Sequence, residues 1–397
     1  MMFNWGSSKS SVSIPSNKKI AVVTGTTSGL GLETVRALLN RGDFHVVCAN
    51  RDVEKMNSVA EREGFDPKSY TGLELDLNSF DSTRAFAKKL SSVKSRPLDA
   101  LVCNAAVYQP ALDKVRDVEL PRQFPEKLCA CRLHPSRLTP SLLPQPKYSA
   151  DNIEQQLQIN HLSHYLLCSL LLPDVAKAKK GRMIIVGSIT GNTNTIGGGA
   201  VAPFADLGEL KGMEAGSQAP VAMIDGKAFN GAKAYKDSKI CNMMTVNELH
   251  MRYHKTTGVT FASIYPGCIA ETQLFREKRQ WFRTLFPLFM KYVTGGYVSQ
   301  KEAGERLAQV VAAPECEKSG VYWSWNGGAR QLPVKDFKSG IIRGTGGSGG
   351  EIFENTPSGE VSNIDKSLKM WDFSAKITGA VWPKVKEEKR SSAFTIA

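Results

Sequence analysis

The sequence predicts an α/β fold, a doubly wound parallel sheet, and three observations carry that expectation. Short runs of β-branched and small apolar residues alternate along the chain with segments whose apolar residues recur at helical spacing. The first strand-to-helix junction places Gly25, Gly29 and Gly31 within seven positions. The chain of 397 residues is long enough to bury a sizeable core, as one large domain or two smaller ones.

The elements follow in order. Ile20 to Val23 reads as a buried strand, and Leu32, Val35, Leu38 and Leu39 mark the helix after it. After Gly42, HVVCAN is a second strand and Val53 to Glu63 a helix; YTGLELDLN is a third strand and Phe80 to Val93 a helix. LDALVCNAAV gives the fourth strand, Asn152 to Leu172 a long helix, and GRMIIVGSIT the fifth strand. Ala234 to His254 is a further helix and GVTFASIYPG the sixth strand. Such alternation puts ligands at the carboxyl ends of the strands. Two stretches break the rhythm: 111–146 is rich in Pro and Arg and reads as a surface insertion, and the GTGGSGGE region reads as a flexible linker before a last helical segment.

The glycines remove side chains where backbone must approach a ligand, and the helix that follows aims free N–H groups at the same place. The spacing is G-x-x-x-G-x-G, without the lysine and hydroxyl residue of a nucleoside-triphosphate loop, so a dinucleotide is favoured over ATP or GTP. The second strand ends ANRD. An Arg here pairs with a 2′-phosphate and an acid with a ribose 2′-OH, so Arg51 favours NADPH while Asp52 keeps NADH open.

A net charge of +13 and a pI near 9.3 favour an anionic ligand or surface. The basic residues are scattered rather than interleaved with stacking aromatics, which argues against nucleic acid. No apolar run approaches the length of a spanning helix. The eight cysteines form no C-x-x-C pair, which fits free thiols in a reducing compartment. His161 with His164 and His250 with His254 lack the further ligands of a zinc site and are expected to be structural, so no metal is expected. The first nineteen residues carry serines and lysines, and no acid precedes Glu33, as in the end of an organelle-targeting peptide or a plain tail.

KAYKDSK sets Tyr235 and Lys239 one helical turn apart on one face. A tyrosine of ordinary pKa, about 10, is a poor acid-base group near neutrality until a cation stabilises its phenolate, and Lys239 is positioned as that cation. Ser188 can hydrogen-bond substrate from the end of the fifth strand, and Asn160 can hold a water beside the lysine. With the glycine turn and CNAAV, this set resembles the short-chain dehydrogenase/reductase family from Lys18 to Asn326. The resemblance implies a Rossmann-type domain, hydride transfer from a nicotinamide, Tyr235 as proton donor, Lys239 on the nicotinamide ribose, and Ser188 and Asn160 completing a tetrad. It further implies cofactor contacts at Gly25, Ser28, Gly29, Leu30, Gly31, Asp76, Leu77, Asn104, Ala105 and Gly267.

Between Ser188 and Tyr235 lie 46 residues, far more than in a general member of that family. With that insertion, DLGELKG, MIDGKAFNGAKAYKDSKICNM, FASIYPGCIAETQLFRE and GVYWSWN resemble the light-dependent protochlorophyllide oxidoreductase family. The resemblance implies NADPH, a plastid location, and light-driven reduction of the ring-D C17=C18 double bond of protochlorophyllide in chlorophyll biosynthesis. It assigns Cys268 to pigment binding and the proton step, and Tyr265, Phe275 and Phe286 to the substrate side. Phe275, Trp281, Phe282, Phe286 and Phe289 offer apolar surface enough to cover a flat macrocycle, to press on thylakoid or inner-envelope lipids, or to form a core helix broken at Pro287. Two features depart from that family: Met290 stands where a glutamine is expected, and the 111–146 insertion has no counterpart.

The expected organisation is a leader at 1–18 and a catalytic domain at 19–330, which contains the insertions 111–146 and 191–232 and a lid at 271–296. A linker at 331–360 and a helical segment and tail at 361–397 follow. A homo-oligomer remains open. The alternative activity is light-independent reduction of a lipid, steroid or retinoid carbonyl, which would use the same tetrad without needing the long insertion; a catalytically silent NADPH-binding scaffold is a third.

Overall fold

The computed structural model describes residues 14, 17–110, 145–189, 202–272, 274, 280–327, 334–335, 342–343 and 346–384. Most of the 111–146 insertion, the start of the 191–232 insertion and Phe275 therefore lie outside the described residues. Strands β1 (Lys19–Thr24), β2 (Phe44–Asn50), β3 (Tyr70–Glu74), β4 (Ala100–Cys103), β5 (Arg182–Val186), β6 (Thr260–Ile264) and β7 (Val321–Trp325) form parallel ladders. An eighth strand, β8 (Ile352–Asn355), closes one edge antiparallel to β7. The spatial order is β8-β7-β6-β5-β4-β1-β2-β3, so the strand order reverses between β1 and β4 and opens a crevice at their carboxyl ends.

The central strands are apolar throughout because helices cover both faces. On one face α3 (Phe80–Val93) and α4 (Ser163–Val175) bury Phe86, Leu90, Tyr165 and Leu172; on the other α1 (Gly29–Asn40) and α7 (Gln300–Ala312) bury Val35, Leu38, Leu307 and Val310. Three further helices, α5 (Gly231–Leu249), α6 (Gln280–Phe289) and α8 (Ile364–Thr378), complete the set used below. The helix expected over 152–172 begins at Gln155, passes through a π-helical turn at Gln158–Leu162, and runs as α4 past Pro173 to Val175.

Several expectations need correction. The 331–360 linker supplies strand β8, whose backbone satisfies the edge of β7. Its glycine-rich part packs down because Gly346, Gly349 and Gly350 adopt φ of +73°, +73° and +78°, which few other residues tolerate. In the leader, Ile14 is buried and its N–H donates to Val93 O at 2.9 Å. The helix α6 is not broken at Pro287; it continues through that residue into a π turn at Met290–Thr294. The helix α7 had no counterpart in the sequence reading.

The carboxyl-terminal helix belongs to the core. Trp371 of α8 packs edge-on against Tyr165 with ring centres 4.9 Å apart and lies 4.5 Å from Trp382. The Tyr165 hydroxyl donates to Trp371 O at 3.0 Å and accepts from Trp382 Nε1 at 2.8 Å.

Candidate active site

The crevice holds a cavity of about 420 Å³, lined at one end by Gly25, Ser28, Gly29, Leu30, Gly31, Asn104 and Ala105 and at the other by Ser188, Tyr235, Lys239, Tyr265, Gly267 and Cys268. The glycine turn is shaped by backbone. A Cβ on Gly31 would lie 2.1 Å from Gly25 O, and one on Gly25 would lie 2.9 Å from Ala105 Cα. The first cannot be absorbed, because the neighbour is main chain. Gly25 and Gly29 also take φ of +71° and +61°.

The turn is tied to neighbouring strands. Asn104 Nδ2 donates to Thr24 O at 2.8 Å, and Thr26 N donates to Asn50 Oδ1 at 2.7 Å. The Thr24 hydroxyl accepts from Asn104 N at 3.0 Å and Ala105 N at 2.9 Å, and lies 2.9 Å from His164 Nε2. Both acceptor positions of that hydroxyl are filled, so its proton points to His164. Burial pushes the His164 imidazole down to about 4, so it is neutral and able to accept.

Arg51 follows β2 and is exposed. Asp52, which left NADH open, caps α2 (Val53–Arg62): its carboxylate accepts from Lys55 N at 2.8 Å. Asp76 and Leu77 stand beyond the end of β3, outside the residues that line the cavity, with Leu77 buried. The Asp76 carboxylate accepts from Asn78 N at 3.0 Å.

At the other end, Tyr235 and Lys239 project from α5, whose start is capped by Asn230 accepting from Lys233 N at 3.0 Å. Burial, with Tyr108 and Cys268 adding to it, pushes the Tyr235 phenol far above its ordinary value, while a hydrogen bond with Ser188 opposes the shift. Tyr108 lies edge-on to Tyr235 at 5.1 Å. Lys239, pushed down to about 8 by burial, donates from Nζ to Val186 O at 3.0 Å. The lowered phenol pKa expected beside Lys239 is not found: burial dominates and raises it.

Asn160 lies buried beside this end of the site. Its Oδ1 accepts from Val107 N at 2.8 Å while Nδ2 donates to Val107 O at 3.0 Å and Ser238 Oγ at 3.1 Å. Its side chain thus braces the strand exit that carries Asn104 and Ala105. Cys268 lines the cavity, and burial raises its thiol to about 12. Tyr265 is buried beside it with its phenol also raised, chiefly by burial.

Phe286, placed on the substrate side by resemblance, is not among the cavity residues; it stacks on Phe282 at 4.7 Å within α6. That helix exposes Trp281, Leu285, Leu288 and Phe289. Tyr108, Lys236, Thr272 and Leu274 line the cavity without having been singled out. Only the position of Tyr108 just after CNAAV offered a hint of its place.

Residues 19–124 match the short chain dehydrogenase family model. The chloroplastic protochlorophyllide reductase of Marchantia paleacea is 46% identical over 376 residues, which cover 92% of this chain and 70% of that protein. Its counterpart in Chlamydomonas reinhardtii is 46% identical over 364 residues, 91% of this chain and 78% of that one. Protochlorophyllide reductase A of Arabidopsis thaliana is 46% identical over 362 residues, 90% and 76% of the two chains. A solved structure of an uncharacterized protein from Mycobacterium paratuberculosis shares the fold, with a TM-score of 0.55 and 18% identity over 94% of this chain and 97% of that one. The eight-stranded sheet, the glycine turn at its reversal point and the extent of these alignments lead to one conclusion: the chain belongs to the protochlorophyllide reductase family of short-chain dehydrogenases.

Proposed function

We propose that the protein reduces the ring-D C17=C18 double bond of protochlorophyllide to give chlorophyllide, with NADPH as reductant and light absorbed by the bound pigment as the trigger. One observation carries the reading: the cavity reached by the dinucleotide turn is also lined by two acids that burial keeps protonated, Tyr235 and Cys268. Relatives at 46% identity are named protochlorophyllide reductases, which supports the substrate and the reduction.

The site fits the cofactor. A Cβ would fill the cradle at Gly31, Ser28 and Leu30 stand at the start of α1, and the engagement of Asp52 as a helix cap leaves Arg51 as the group suited to a 2′-phosphate. That pairing supports NADPH over NADH. Asp76 and Leu77 would meet the adenine end; Lys239 and Gly267 would meet the nicotinamide end. When bound, the cofactor supplies a hydride to one carbon of the double bond and leaves as its oxidised form.

The chain supplies the rest. Tyr235 holds the proton for the other carbon, and Ser188 orients the phenol through its hydrogen bond. Cys268 seats the pigment and keeps a second proton within the cavity. Tyr265 walls the pocket behind it.

The relatives are chloroplastic, and we place this protein in the plastid. No helix among the described residues is long and apolar enough to cross a membrane. The exposed face of α6, with Trp281, Leu285, Leu288 and Phe289, suits peripheral contact with plastid lipids, and self-association across it is the alternative.

The test is direct. A dark mixture of protein, NADPH and protochlorophyllide should be stable, and illumination should convert pigment and oxidise cofactor together. Turnover in darkness, or comparable reduction of simple ketones, overturns this reading in favour of a dark carbonyl reductase.

A further inference from the structure

Arg306, on α7, is buried and joins two segments distant in sequence. Its Nη1 donates to Pro266 O at 2.8 Å; its Nη2 donates to Gly347 O at 2.7 Å and Gly349 O at 2.8 Å. One turn earlier, Glu302 pairs with the same guanidinium at 2.7 Å. Glu302 also accepts from Gly349 N and from the Ser348 hydroxyl, both at 2.6 Å. Between them, the two side chains satisfy both donors and acceptors of the glycine-rich segment. The guanidinium further lies 5.1 Å from the centre of the Trp325 ring.

The gripped segment stands directly behind the cavity. A Cβ on Gly346 would lie 2.4 Å from Tyr265 Cε1, and one on Gly267 would lie 2.7 Å from Gly346 O and 2.3 Å from Val298 Cγ2. Tyr265, Gly267 and Gly346 thus pack without room for a methyl group, and Tyr265, Pro266, Gly267 and Cys268 all line the cavity. A shift of the glycine segment is transmitted to that loop.

We propose that Arg306 and Glu302 form a latch that seats residues 346–350 behind the loop Tyr265–Cys268, making Arg306 a positioning residue for the wall of the active site. A planar fork is required, because three carbonyls in different directions are held at once; a lysine offers a point charge on a flexible stem. The consequence for pigment rests on the proposed function above. The consequence for Cys268 does not.

The test compares the full chain with Arg306→Lys and Glu302→Gln, using far-ultraviolet circular dichroism to show that each is folded. The first readout is the rate at which iodoacetamide alkylates Cys268, followed by peptide mass spectrometry. Loss of the charge-assisted contacts should raise it about tenfold in Arg306→Lys and less in Glu302→Gln. The second is light-driven turnover, where KM for protochlorophyllide should rise more than kcat falls and the absorption of bound pigment should shift. Variants that melt at lower temperature yet keep parental Cys268 alkylation and pigment absorption would reduce the latch to a structural brace and overturn the proposal. Should Arg306→Lys fail to fold, Glu302→Gln, which keeps the shape, decides by the same two readouts. A parent that binds no pigment would sink the proposed function, while the alkylation result would still judge the latch.

Discussion

Lys239 directs its ammonium at the Val186 carbonyl, 3.0 Å away, and lies 5.8 Å from the centre of the Tyr235 ring. The buried cation is therefore held by main chain at the end of β5. Its pKa falls to about 8 because burial penalises the charge. An unfolded lysine titrates near about 10.4, so between these values the unfolded chain binds more protons and stability rises with pH. Near neutrality the charged form is folded at a cost. Lys239→Met should accordingly raise the unfolding free energy at about pH 7 by about 2 kcal/mol, with the gain shrinking as pH climbs past about 8, while turnover is lost. Urea titrations at the two pH values check this, and a variant less stable than the parent near neutrality would refute it.

The phenol of Tyr235 and the thiol of Cys268 are both raised above their ordinary values, mainly by burial. Both donors should stay protonated through the neutral range, so light-driven turnover should be flat from about pH 6 to 8 as far as these groups govern it. Tyr235→Phe keeps the ring and removes the proton. Pigment should still bind, as seen by absorption, and turnover should drop about 10²- to 10⁴-fold. Cys268→Ser should disturb pigment placement or the proton step and leave NADPH affinity alone. Parental turnover in Tyr235→Phe would move the proton donation to another group.

Arg51 is exposed at the end of β2, and the neighbouring Asp52 is engaged by Lys55 N. NADPH should bind more tightly than NADH. Arg51→Ala should narrow the gap by about 1.5 to 3 kcal/mol, the range of a hydrogen bond to a charged group. Isothermal titration with both cofactors measures it, and equal affinities in the parent would end the assignment.

Much of this architecture is legible in sequence where local pattern and tertiary demand agree. The glycines at 25, 29 and 31 announce the turn because each answers a steric need of the backbone itself. Tyr235 and Lys239 are visible because helical spacing alone places them together. Long-range partners are not legible in this way. Arg306 looks like one more surface charge on an amphipathic helix until its acceptors, some forty residues either side, are brought to it. The glycine-rich stretch looks like a linker because composition reports freedom in the unfolded chain and says nothing of a close-packed partner such as Tyr265. The lowered phenol pKa expected at Tyr235 failed for a related reason: burial, which raises it, is a property of the assembled site.

Trp371 fills the space between Tyr165, Tyr253 and Trp382, and Arg252 covers its ring at 4.8 Å. Truncation leaves a large cavity in a core that also supports α4. Trp371→Ala should cost about 3 to 5 kcal/mol in stability, and Trp371→Phe less. If chemical denaturation shows Trp371→Ala to be neutral, the carboxyl-terminal helix is an appendage and not part of the fold.

Lys233 stands two residues before Tyr235 and fixes the described part of the 191–232 insertion to α5. Its ammonium pairs with Asp237 at 2.6 Å and Asp225 at 3.1 Å and donates to Asp206 O. Asp237 in turn accepts from Asp206 N at 3.0 Å, and Leu207 N donates to Glu360 at 2.9 Å. Asp225 and Asp237 are both buried, and burial raises the Asp237 carboxyl to about 7 against the opposing pull of Lys233. Lys233→Met would strand them, a change that typically costs about 3 to 5 kcal/mol when one partner of a buried pair is removed. Lys233→Met with Asp237→Asn removes charge from both sides and should recover part of that loss. Ala232, the last residue of the insertion, lines the cavity, so on the proposed function the single variant should raise KM for pigment while NADPH affinity stays near the parental value. Equal losses of both affinities would show that Lys233 supports the whole domain rather than the seating of the insertion.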